Sequence, residues 1–323
     1  MWRPTALLLT ATLASACQVP ARGSATVPSG ASQAQAGGAA DPQPDAPGRI
    51  NIGGSVVRVE YDGNELPLSN EVMEAWVRRS AQMVRDYLGE FPVPSIEITL
   101  VGRGRGGVGF GMHQDGRWIT VYCGRRTSPT GLENDWVLVH EMLHAAFPDL
   151  ARDHRWMQEG LSTYLEPVVR ARAGNTTDAD VWRRWIRSMH HGRPRSGDRG
   201  LDRTHTWGRT YWGGALFWLV ADVELRTQTG NKRSVRDVVR GILAEGGNGR
   251  ANWSTRRVVE VADEVTGTTV VSELYARMAE APGDVDLDQL LADLGVARVD
   301  GETIFDDDAP LAHVRRAITA RSP

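Results

Sequence analysis

The stretch Trp136-Val-Leu-Val-His140-Glu141-Met-Leu-His144 has the apolar spacing of a helix. His140 and His144 are four residues apart, so one helical turn brings both imidazoles to the same face. A zinc ion needs ligands held close together on a rigid element, and this spacing supplies two. Glu141 stands beside them, able to reach a metal-bound water without ligating. After a loop through Pro148, Arg155-Trp-Met-Gln-Glu159-Gly-Leu-Ser-Thr-Tyr-Leu-Glu166 reads as a second helix. A catalytic zinc takes three protein ligands and keeps a position for water. Glu159 can face the histidines across the helix pair as the third. Glu166, two turns on, is the alternative ligand, or else a charge on the helix surface.

Before this core, Val56 to Tyr61 alternates like a strand. Residues 69–88 read as an amphipathic helix, with Asn70 as cap and Val72, Trp76, Met83 and Leu88 broadly on one face. Pro92 and Pro94 break the chain. Ser95 to Val101 alternates again, with Ile96, Ile98 and Leu100 on one side, and Trp118 to Tyr122 is a further short strand. Beyond it the period predicts helices near 133–147, 155–170, 179–190, 209–228, 234–245, 254–265, 270–280, 286–293 and 310–320. No solenoid repeat is present. Strands first and helices after predict an α+β fold, a small N-terminal β-sheet lobe (49–130) followed by a mainly helical lobe. That lobe divides into a zinc-binding helical core (131–245) and a helical C-terminal extension (246–323).

The ends carry a different message. Residues 1–16 have a charged start at Arg3, an apolar stretch over 5–13 and small residues before Cys17, which is a secretory signal pattern. Ala14-Ser15-Ala16-Cys17 resembles a bacterial lipobox, which makes Cys17 the expected lipidated residue and the chain an exported lipoprotein of the cell envelope. Residues 17–48, built from Ala, Gly, Pro, Ser and Gln, read as a disordered tether. The whole chain has 323 residues, 37 Lys plus Arg against 40 Asp plus Glu, and a net charge of −3, which excludes a generally basic nucleic-acid binder. Two cysteines exclude a disulfide scaffold and a Cys-only zinc site. Cys123 then reads as a small buried apolar residue.

With Phe147 and Leu150 where a metzincin needs glycine and histidine, the glutamate option remains. H-E-x-x-H followed by Trp156-Met-Gln-Glu159-Gly160 resembles the gluzincin metallopeptidases with a thermolysin-like catalytic domain, the aminopeptidase N and glycyl aminopeptidase families above all. The resemblance implies Glu159 as third zinc ligand, although only fourteen residues separate it from His144, a shorter connection than in aminopeptidase N. Tyr211-Trp212-Gly213-Gly214-Ala215 resembles the Y-x-x-G-A helix start of both families, which implies Tyr211 as oxyanion stabiliser. The likeness covers roughly residues 92–245 and is sharpest over 136–230. It departs at Phe110-Gly111-Met112-His113-Gln114. Aminopeptidase N has G-x-M-E-N there, with a glutamate that binds the substrate's free amine; His113 stands in its place, and an imidazole is a poor anchor for an ammonium group. The segment still suits an edge strand on which an extended peptide pairs its backbone.

The expectation is a zinc-dependent peptidase acting on a peptide or protein substrate, with Glu141 as general base. The alternative is a membrane-tethered lipoprotein that binds zinc as a non-catalytic binding or assembly module; a further option is hydrolysis of a non-peptide amide. Oligomeric state is not legible. Gly104, Gly106 and Gly109 satisfy G-x-G-x-x-G, but no helix pattern opens at the third glycine, so the run reads as a flexible loop at a cleft rim. His154 reads as structural, His190 and His191 as solvated, and His205 as a candidate substrate contact. Trp207, Trp212, Phe217 and Trp218 read as core, with one or two lining a pocket. Asp222 and Arg226 have ion-pair spacing. Asp308 is a candidate cap for the last helix, within an acidic run that reads as solvated.

Overall fold

The strand patterns assemble into one mixed sheet. In the computed structural model, residues 46–63 and 66–321 are described; the expected export signal 1–16, Cys17 and the expected tether as far as residue 45 lie outside them. Strands β1 (Arg49–Ile52), β2 (Ser55–Gly63), β3 (Ser95–Gly102), β4 (Val108–Gln114) and β5 (Trp118–Cys123) run in the order β1-β2-β3-β5-β4. The central pairs, β2 with β3 and β3 with β5, are parallel; the outer pairs are antiparallel. Alternation in β3 buries Ile96, Ile98 and Leu100, as their spacing predicts.

Parallel pairing of β2 with β3 demands a crossover, and helix α1 (Asn70–Leu88) supplies it. Met73, Trp76, Val77, Ala81 and Val84 recur at the helical period and are buried. Val72 lies off that stripe and is exposed, contrary to the face expected for it. Ser69, not Asn70, occupies the N-cap position. Gly89, at φ 94°, ends the helix in the left-handed region.

The glycine-rich loop before β4 is held rather than loose. The N–H groups of Gly124, Arg125 and Arg126 bond the carbonyls of Gly107, Gly104 and Gly106. Strand, not helix, follows it, which disposes of the dinucleotide pattern. β4 is one of the two edges of the sheet, and it borders the cleft described below.

Helix was expected without a break over 133–147, but the chain stops and restarts. α2 (Pro129–Glu133) precedes α3 (Val137–His144), and between them the buried Asp135 carboxylate accepts the N–H groups of Val137 and Leu138, both at 3.1 Å. Two of α3's orphan donors are thereby satisfied. Then come α4 (Arg155–Arg172), α5 (Asp178–Ser188), a π-helical turn (Gly208–Gly213) running into α6 (Gly214–Thr229), and α7 (Val235–Ala244). α8 (Thr255–Thr266), α9 (Val270–Met278) and α10 (Leu287–Asp293) follow.

The C-terminal extension is not wholly helical. β6 (Val296–Val299) and β7 (Glu302–Phe305) form a hairpin before α11 (Ala312–Thr319). Asp308 does not cap α11; Asp307 instead pairs with Arg315 and Arg316. Upstream, the segment after α7 lies along the loop that leaves α3. Gly249 donates to the Ala145 carbonyl at 2.9 Å, Asp149 to Ala251 at 2.8 Å and Trp253 to Asp149 at 3.1 Å. Arg250 reaches the Gly116 carbonyl at 3.2 Å, so this segment also grips the β4–β5 turn.

α4 and α6 cross with their backbones in contact. A Cβ on Gly160 would lie 2.3 Å from the Gly214 backbone, and one on Gly214 would lie 2.2 Å from the Trp156 carbonyl oxygen. Trp218 Nε1 donates to the Met157 carbonyl at 2.9 Å, and Tyr164 donates to Asp222 at 2.7 Å. Asp222 also accepts the Val235 N–H and pairs with Arg226, so the expected ion pair is part of a buried structural network. Overpacking a tight contact costs about 1–3 kcal/mol. Gly160→Ala and Gly214→Ala are therefore each expected to lower stability by at least the upper end of that range, because backbone cannot step aside as a side chain can. Urea denaturation checks this; a change within roughly 0.5 kcal/mol would remove the crossing from the account.

Candidate active site

α3 and α4 bring the three expected ligands together. Glu159 Oε2 lies 3.5 Å from His140 Nε2 and 3.4 Å from His144 Nε2. The two rings stand edge to face, 5.0 Å between centroids. All three ligand atoms fall within 4.8 Å of one another. Two imidazole nitrogens and one carboxylate, converging from two helices, suit a zinc ion with three protein ligands and one open position. Burial opposes charge on Glu159, but the His140 and His144 imidazoles beside it outweigh that and hold the carboxyl well below its usual range. Its other oxygen takes Arg155 at 3.1 Å.

Glu166 is neither a ligand nor a surface charge. It is fully buried and pairs with Arg170 at 3.0 Å and with Arg184 of α5.

Glu141 lies under β4. A Cβ on Gly111 would come 2.5 Å from Glu141 Cγ and 2.8 Å from Val137 Cγ1, so only glycine lets the strand approach this closely. The backbone N–H of His113 bonds the Glu141 carboxylate. Burial pushes that carboxyl up to about 6, with Glu159 adding to the rise and His144 opposing it. That value suits a group exchanging protons near neutral pH. Two residues on, the His113 ring stacks on His144 at 5.7 Å, and its Nε2 is buried without a hydrogen-bond partner. Burial first, then the neighbouring His144, holds its pKa down at about 3, so His113 meets the cleft as a neutral imidazole.

Tyr211 sits in the π-helical turn at the head of α6, an irregularity common at functional sites. The Gly160–Gly214 crossing brings this turn to α4 and sets Tyr211 beside Glu159. Burial and the Glu159 charge raise its pKa to about 12, so it remains a donor.

These groups line a cleft of about 850 Å³. Trp207 (62% exposed), Trp136 (43% exposed) and Phe110 give it apolar surface, and Trp212 and Arg184 lie at one side. Phe217 and Trp218 are core instead. Cys123 is buried, with its thiol pushed up to about 12 by burial, as expected of an inert core residue. His205 turns to the Asp202 carbonyl at 2.9 Å and does not border the cleft. His154 pairs with Asp202 at 2.8 Å, and Trp156 and Tyr275 join that carboxylate, which ties the start of α4 to α9. His190 is exposed and lies against the half-buried His191, the rings tilted at 44°.

Trp136 was not singled out from the sequence, although it stands four residues before His140 and so shares its side. Nothing local marks Arg184, which arrives from another helix. Gly111→Ala is expected to displace Glu141 while leaving zinc affinity near that of the parent. A crystal structure of the variant with its metal content checks both, and an unmoved Glu141 would contradict the close approach.

No protein-family model matches this chain, and no curated protein matches it in sequence. Solved structures do match. An aminopeptidase N family protein from Idiomarina loihiensis superposes with a TM-score of 0.60 at 15% identity, over 77% of this chain and 49% of that one. A two-domain M1 zinc metallopeptidase mutant, solved with L-arginine bound, gives 0.51 at 17% identity, over 73% and 52%. An M1 zinc metallopeptidase mutant from Deinococcus radiodurans gives 0.50 at 16%, over 71% and 50%. The chain spans about half the length of these proteins. Its fold is the α+β fold that they share, as the resemblance in H-E-x-x-H and W-x-x-E-G led one to expect.

Proposed function

We propose that this chain is a zinc-dependent peptidase. The observation that carries the reading is the convergence of His140, His144 and Glu159, with Glu141 and Tyr211 on the rim of the same point. A binding module needs the first three alone. Zinc held by those three would supply positive charge to polarise a carbonyl and to acidify water.

The chain's own groups do the rest. Glu141, held by the His113 N–H, accepts the proton of the attacking water and returns it to the leaving amine. The Tyr211 hydroxyl, kept protonated, donates to the oxygen on which charge develops. The free edge of β4 offers its backbone to an extended peptide. Exposed Trp136, Trp207 and Phe110 provide apolar surface for side chains.

The N-terminal segment supports an envelope setting, with the catalytic part tethered to a membrane through a lipid on Cys17. The net charge of −3 supports no nucleic-acid partner. Cys17→Ser is expected to abolish incorporation of labelled palmitate and to release the protein from membranes; unchanged labelling would refute the anchor.

Glu141→Gln is expected to keep stoichiometric zinc and lose roughly 10²–10⁴-fold in turnover. Tyr211→Phe should also keep zinc and lose about 10²–10³-fold. His144→Ala should lose both metal and activity. Metal analysis beside cleavage of a broad peptide library reads all three. Full zinc occupancy with no cleavage by the parent protein would favour the non-catalytic binding module.

A further inference from the structure

Arg184 belongs to α5, which contributes nothing to the metal ligands, yet its guanidinium stands in the cleft wall. It is fixed there from several sides. Nη1 pairs with Glu166, fully buried on α4. The group lies over Trp136, 5.1 Å from the ring centroid, and near Trp212 at 5.9 Å. Trp136 in turn meets His140 edge-on at 5.7 Å. The fold thus holds a cation one aromatic ring away from a candidate zinc ligand.

Neutralising Glu166 does not account for it. Arg170, on the same helix as Glu166, already pairs with that carboxylate at 3.0 Å. The nearby Asp135 carboxylate is engaged by the N–H groups of α3. The other arginines of the cleft are placed differently. Arg155 gives Nε and Nη2 to Glu159, and Arg152 is exposed on the turn before α4. Arg184 is 26% exposed, and among the described residues only its Nη1 is hydrogen-bonded, which leaves the donors on Nε and Nη2 for another partner.

We infer that Arg184 is the carboxylate-recognition residue of the cleft: it holds an anionic group of a bound peptide, either its C-terminal carboxylate or an aspartate or glutamate side chain. A guanidinium pinned at one nitrogen and stacked on indole rings has little freedom left to lose on binding. It presents its remaining N–H groups in the planar fork that matches a carboxylate. The inference rests on the peptidase reading, because it requires a peptide in the cleft.

Equilibrium binding tests it apart from turnover. The proteins are zinc-loaded Glu141→Gln, and the same protein carrying Arg184→Gln or Arg184→Lys. The probes are short synthetic peptides, each made as free acid and as C-terminal amide, and each with Asp or Glu exchanged for Asn or Gln. With Arg184 intact, the anionic member of a pair is expected to bind more tightly, on the order of tenfold. The ratio should fall to near one in Arg184→Gln and recover partly in Arg184→Lys, which keeps the charge without the fork. Sensitivity to the amide assigns the C-terminal carboxylate; sensitivity to the side-chain exchange assigns an acidic residue. Each ratio is internal to one protein, so lowered stability in a variant cannot imitate the result. A ratio near one with Arg184 intact overturns the inference, as does a preference that survives Arg184→Gln. If the wild-type protein cleaves peptides without such a preference, the role of Arg184 falls and the peptidase reading stands. If the zinc-loaded protein binds no peptide, both fall.

Discussion

The crossing of α4 and α6 at Gly160 and Gly214 is the contact on which the site depends. Two backbones touch where any Cβ would intrude. Glu159 is the residue before the first glycine, and Tyr211 lies in the turn that leads into the second. Moving the helices apart by the width of one methyl group would draw the Tyr211 hydroxyl away from the carboxylate. Nearby, a Cβ on Gly192 would meet the Trp212 backbone at 2.3 Å, and one on Gly208 would meet the His191 carbonyl oxygen at 2.4 Å. The π-helical turn is therefore seated by close backbone contacts on both of its flanks, and its aromatic side chains are free to line the cleft or enter the core.

Three buried glutamates around this crossing show how partners set the state of one chemical group. Glu159 lies against two imidazoles and an arginine and stays charged despite burial. Glu141 has a single backbone donor from His113 and two opposed neighbours, so burial dominates and its carboxyl rises. Glu166 is held by two arginines and serves as the floor under Arg184. Residue type alone would treat the three alike. The difference lies in which groups reach each carboxylate, and those groups come from β4, α3, α5 and α4 itself.

Much of this was legible along the chain. Ile96, Ile98 and Leu100 alternate because β3 is pleated, and they are buried. The helices over 155–172 and 255–266 follow from their periods. Where local spacing misled, a tertiary cause is visible. α3 restarts at Val137 because the buried Asp135 takes its first N–H groups. The glycine-rich loop was expected to be loose, but backbone bonds from residues 124–126 hold it. The β6–β7 hairpin was missed in a stretch read as helical.

The sequence by itself determined the ligand pair. Residues four apart on a helix share a face whatever surrounds them, so His140 and His144, with Glu141 between them, present one candidate metal-binding edge. It also made glycine available at 111, 160 and 214. Tertiary structure decided which acidic residue joins that edge. Glu159 and Glu166 lie two turns apart on one helix, and their spacing does not separate them. Arg170 and Arg184 engage Glu166 away from the histidines, while the glycine crossing aligns Glu159 with them. That choice, like the place of Arg184 in the cleft wall, depends on which helices pack together, a matter of long-range contact that no local period encodes.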